Sequence, residues 1–68
     1  MTSKTSPAYI VNQLFNGDVV REYAHRTAKA AERRVRQLRG AGAGWGVCVM
    51  SNEPDAPSEL AGATVWPY

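Results

Sequence analysis

From residue 8 onward, hydrophobic residues fall first at strand spacing and then at helix spacing. Tyr9, Ile10, Val11, Leu14 and Phe15 crowd into one short stretch, Val19, Val20 and Tyr23 into the next, with Asn16-Gly17 between them. Branched and aromatic residues at this density favour strands. Asn and Gly both tolerate the positive φ that a tight hairpin turn demands. The pattern predicts a β-hairpin over 8–24. Two registers fit it. A three-residue loop through Asp18 puts Ile10, Leu14, Val20 and Ala24 on one face, and Tyr9, Val11, Phe15, Val19 and Tyr23 on the other. A two-residue loop regroups both sets. In the first register both faces are apolar, so one helix covers one of them and the aromatic face needs a second cover.

Helical spacing then takes over. Ala28, Ala31, Val35 and Leu38 form one stripe, and Lys29, Arg33 and Arg36 lie roughly opposite it. Thr27 is suited to cap the N-terminus and Gly40 to end the helix, which gives a helix over 28–39. Glu32 and Arg36 stand four apart, as a helical ion pair requires. Residues 40–44, Gly-Ala-Gly-Ala-Gly, make a flexible connection. Trp45, Val47 and Val49 alternate along a third strand over 45–50. Residues 51–62 read as a loop with Pro54 and Pro57, with room for a short turn at Ser58-Glu59-Leu60, and 63–66 as an optional short last strand. The fold class is therefore α+β, in the order β-β-α-β(β). A right-handed crossover sets the third strand beside the first. The expected sheet is small and antiparallel, ordered 3-1-2 or 4-3-1-2, with one helix on one face. Residues 1–7 are polar and end in Pro7, an expected disordered tail before a single domain over 8–68.

Charge sharpens this picture. The chain has 68 residues and a formal net charge of +2. The basic residues concentrate in Arg26, Lys29, Arg33, Arg34, Arg36 and Arg39, with Glu32 among them. From Gly40 onward only acids occur: Glu53, Asp55 and Glu59. So short a domain is only marginally stabilised by its own core, and self-association is the natural supplement. Cys48 is the only cysteine and His25 the only histidine, so neither an intrachain disulfide nor a closed zinc site is expected. With no apolar leader and no long apolar run, a cytoplasmic protein without membrane contact is expected.

Several features bear on chemistry. Lys29, Arg33 and Arg36 could meet phosphates or an acidic protein surface, or be the ordinary wet side of an amphipathic helix. Base-reading partners such as Asn or Gln are scarce beside them, Gln37 being the exception. Tyr9, Tyr23, Trp66 and Tyr68 are candidate interface aromatics, whereas Phe15 and Trp45 are read as core. The Gly-rich 40–46 segment follows a helix, so it lacks the order of a phosphate loop. Cys48 between Val47 and Val49 is read as a small buried hydrophobe, with a spatial pairing to His25 left open. No catalytic set stands out, and no enzyme, cofactor or metal is expected.

The Ala, Gly, Arg and Pro-rich composition, and stretches such as Ala30-Ala31-Glu32-Arg33-Arg34-Val35-Arg36, resemble the short accessory proteins of actinobacterial phages. That resemblance of style implies a dispensable protein that binds a host factor. It assigns no functional residue. The expected function is a small non-enzymatic protein-binding module, with a homodimer favoured. The alternative is a nucleic-acid-binding protein that contacts phosphates through the basic helix.

Overall fold

The computed structural model of the protein describes residues 8–68, so the expected tail over 1–7 lies outside the described residues. The class is α+β, with strands β1 (Tyr9–Phe15), β2 (Asp18–His25), β3 (Trp45–Ser51), β4 (Glu59–Leu60) and β5 (Ala63–Pro67), and one helix, α1 (Ala28–Leu38). The strands form one sheet in the order β2-β1-β3-β5-β4. The first three strands of this order pair antiparallel, as expected.

The C-terminal part departs from expectation. β5 lies beside β3 but runs parallel to it, with Ser51 opposite Pro67. The expected 51–62 loop contains β4, which pairs antiparallel with β5 on the outer edge. The 52–58 segment is long enough to carry the chain back along the sheet, and a hairpin at Ala61-Gly62 then reverses it. Both turn residues have positive φ, 50° and 91°, close to the 53° and 89° of Asn16 and Gly17. Alanine seldom takes this conformation. The second hairpin was therefore invisible as a turn signal.

The hairpin register combines both sequence readings. Near the turn Phe15 faces Asp18 and Leu14 faces Val19, as a two-residue loop requires. Beyond it Gln13 faces Arg21 and Tyr9 faces His25, as a three-residue loop would give. A bulge at Val20 absorbs the difference. It puts Tyr23 and His25 on the same face as Tyr9 and Val11, and moves Val19 to the face of Leu14.

The helix covers the Tyr9–Val11–Tyr23 face, not its opposite. The core is Tyr9, Val11, Ala31, Val35, Val49, Leu60 and Ala63, with Tyr23, Ala28, Leu38, Val47 and Val65 packed against it. The expectation that the aromatic face needs a separate cover is thus corrected. With the bulge in place, this face is the better match to the small Ala31 and Val35 stripe. Thr27 caps the helix, its hydroxyl accepting from the Ala30 N–H at 3.1 Å. Arg39 ends it, donating its N–H to the Val35 carbonyl at 3.0 Å. Across the sheet, buried Ser51 ties three segments together. Its Oγ donates to the Ala8 carbonyl at 2.8 Å and accepts from the Glu53 N–H at 3.1 Å, and its own carbonyl accepts from the Tyr68 N–H at 3.1 Å.

Candidate functional site

The face opposite the helix has no element over it among the described residues. Strand alternation places on it Ile10, Asn12 and Leu14 from β1, Val19, Glu22 and Ala24 from β2, Cys48 and Met50 from β3, and Thr64 and Trp66 from β5. Ile10, Leu14, Cys48 and Met50 are half-buried by their neighbours alone, and Trp66 remains 56% exposed beside Met50. The carboxylates of this face, Glu22 on β2 and Glu59 on β4, stand toward its two edges, and no Lys or Arg of the described strands belongs to it.

Asn12 lies at the middle of β1, one strand in from the β2 edge of this face. It pairs with Glu22 on one side and Cys48 on the other, and is 5% exposed. Its Nδ2 donates to the Cys48 Sγ at 3.8 Å, a weak bond, and its buried Oδ1 has no partner among the described residues. A buried carbonyl left unpaired costs about 1–3 kcal/mol. The Asn12 Oδ1 is the one buried side-chain polar atom without a partner among the described residues, and no sequence pattern signals it.

The sequence-derived candidates divide. Lys29, Arg33 and Arg36 are all exposed on the outer side of α1, and of the three only Arg36 is in an ion pair among the described residues, with Glu32 at 3.2 Å. Tyr9 is 6% exposed and belongs to the core, so it cannot meet a partner; the helix seals it. Tyr23 is half-buried, with the Arg34 guanidinium carbon 4.2 Å above its ring. Trp66 and Tyr68 are exposed, Trp66 on the open face and Tyr68 beyond the end of β5. Phe15 and Trp45, read as core, instead contact each other partly exposed, with ring centroids 4.7 Å apart and the planes tilted by 52°. They pair across the ladder at its turn end, beside the 40–44 segment.

His25 and Cys48 are not brought together. His25 pairs with Tyr9 on the helix side and Cys48 with Asn12 on the open side, so the sheet separates them. Arg34 instead reaches His25, its Nε lying 3.5 Å from Nε2. Burial, with the Arg34 charge in addition, holds the imidazole below its ordinary pKa. A pocket of about 350 Å³ opens between the end of α1 and β3, lined by Leu38, Arg39, Trp45, Val47 and Gly62 among others. The Arg39 guanidinium there donates to the Ala61 carbonyl and braces the β4–β5 turn. Among the described residues no group of three or more His, Cys, Asp or Glu could hold a metal ion, and no helix is long and apolar enough to cross a membrane.

No family model, curated protein or solved structure matches this chain. The site must therefore be read from its own residues.

Proposed function

We propose that this chain is a small non-enzymatic protein-binding module, an accessory protein of the phage type acting on a host factor, and that the uncovered sheet face is its docking surface. The observation that carries this reading is the apolar set Ile10, Leu14, Cys48, Met50 and Trp66 with no element over it among the described residues. Exposed apolar surface spread over neighbouring strands marks an interaction site. Trp66 supplies the kind of large aromatic anchor on which interface energy concentrates.

A second reading, nucleic-acid binding, draws support from the exposed row Lys29, Arg33 and Arg36 on α1, of which only Arg36 is ion-paired among the described residues. One experiment separates the two. The wild-type chain, Met50→Arg, and a variant with Lys29, Arg33 and Arg36 all changed to Gln are used to capture partners from a host lysate, with and without nuclease. The protein-binding reading expects a captured protein that survives nuclease, survives the Gln changes and disappears with Met50→Arg. Capture that nuclease abolishes, together with nucleic-acid binding that weakens steeply with salt and is lost in the Gln variant, establishes the second reading. If the wild type retains no protein, the first reading is overturned.

A further inference from the structure

We infer that the cavity beyond the C-terminal end of α1 binds a small carboxylate with an aromatic body, held by Arg39 and Trp45. The cavity lies on the helix side of the sheet, so it is separate from the docking face and does not depend on it. Its existence follows from the order of the chain. α1 stops at Leu38, and β3 begins at Trp45. The 40–44 segment between them carries no side chain larger than a methyl group. It cannot fill the space that the helix leaves over the Trp45 end of β3. The result is the opening of about 350 Å³, at the small end of the range for small-molecule sites. Leu38, Val47 and Ala63 supply apolar walls. Trp45 also lines the cavity, 40% exposed, with the Phe15 ring against it. Apolar walls beside a large indole suit a ligand with a flat apolar body.

Arg39 sets the charge of the ligand. Among the described residues that line the cavity, it alone is charged. Its Nη1 donates to the Ala61 carbonyl, which pins the guanidinium beside Gly62. A Cβ at position 62 would strike that guanidinium, so the glycine is what lets the arginine lie there. Nε and Nη2 have no hydrogen-bond partner among the described residues. Those two nitrogens share one edge of the guanidinium, and their parallel N–H groups match the two oxygens of a carboxylate. A guanidinium already tethered loses little freedom when the anion arrives. The carbonyl end of α1 opposes an anion with about half a negative charge, and the full charge of Arg39 outweighs it. Inorganic phosphate is a poorer fit, since it would leave the apolar walls facing water.

Titration of the nitrogen-labelled full chain with phenylacetate, followed by proton–nitrogen NMR, tests this. The indole N–H signals of Trp45 and Trp66 serve as site and control. The Trp45 indole and the Gly46 and Gly62 amides are expected to shift saturably, with a Kd on the order of 1–10 mM for so small a ligand, while the Trp66 indole stays put. Phenylacetamide keeps the shape without the charge, and acetate keeps the charge without the ring. Each should bind at least about tenfold more weakly than phenylacetate. Arg39→Gln should weaken phenylacetate binding to the same degree while its spectrum stays dispersed. The inference is overturned if no signal saturates below about 50 mM phenylacetate. Equal binding of phenylacetamide or of acetate overturns it too, as does a folded Arg39→Gln that binds like the wild type. Should Arg39→Gln unfold, the phenylacetamide comparison on the wild type decides alone.

Discussion

At the scale of single residues, Ala61 is the place where the chain accepts local strain. Its φ of 50° is left-handed, and its Cβ disfavours that conformation by about 1–2 kcal/mol relative to glycine. The turn holds because Gly62 follows and because the Arg39 guanidinium grips the Ala61 carbonyl. Asn tolerates left-handed φ far better, as Asn16 shows at the equivalent position of the first hairpin. Ala61→Asn should therefore raise the unfolding free energy by about 1 kcal/mol, and with it the thermal midpoint by about 4–8 °C for a domain of this size. Gly62→Ala should do the reverse, since its φ is 91° and a Cβ there meets the Arg39 guanidinium. Differential scanning calorimetry on the two variants checks both signs.

At the scale of elements, the helix is fixed by a narrow contact. Ala31 and Val35 are fully buried, while Ala28 and Leu38 only flank them. Val35→Ala removes two buried carbons and opens a small cavity in a core whose largest fully buried side chains are valines. The expected loss is about 2 kcal/mol. Arg33→Ala, on the exposed side, should cost under about 0.5 kcal/mol. Urea denaturation gives both values, and equal midpoints would contradict the packing described. This facing was legible in the sequence because the Ala28–Ala31–Val35–Leu38 stripe is amphipathic over the whole helix. The first hairpin was legible because Asn16-Gly17 states its turn chemistry openly. What stayed hidden had physical reasons. The bulge at Val20 changes strand parity without a Gly or Pro to mark it, so neither simple register described the whole hairpin. The parallel β5 depends on a turn through an alanine. The open face was misassigned because that parity was unknown, and with it Tyr9 was offered as an interface residue although it lies under the helix. Asn12 carries no sequence signal, since a polar residue in a strand is common and its burial depends on how the neighbouring strands pack.

At the scale of the whole molecule, the basic helix and the acid-only C-terminal half make the chain electrically lopsided, and His25 sits where helix and sheet join. Its imidazole is held below the ordinary value of 6.5, first by burial and then by the Arg34 charge. The unfolded chain therefore takes up the proton at higher pH than the folded one. Stability is full above about pH 6.5 and declines as pH falls through that value toward the lower folded pKa, where the loss levels off. His25→Gln should remove this step from a plot of urea midpoint against pH, and Arg34→Gln should shrink it. A step of unchanged size in His25→Gln would assign the titration to another group.

The bonds around Ser51 have a consequence for how the domain can be joined to others. Through its Oγ and its carbonyl, that one residue holds both Ala8 and Tyr68, so the two ends of the described chain emerge side by side at the same end of β3. Domains with adjacent ends can be spliced into a surface loop of another protein without stretching either host or guest. They also tolerate relocation of their ends. A short Gly-Ser bridge from residue 68 back to residue 8, with the chain reopened in the 40–44 segment, preserves every strand neighbour. The fold is in this sense a closed circuit that the order of its genes' codons happens to enter at β1.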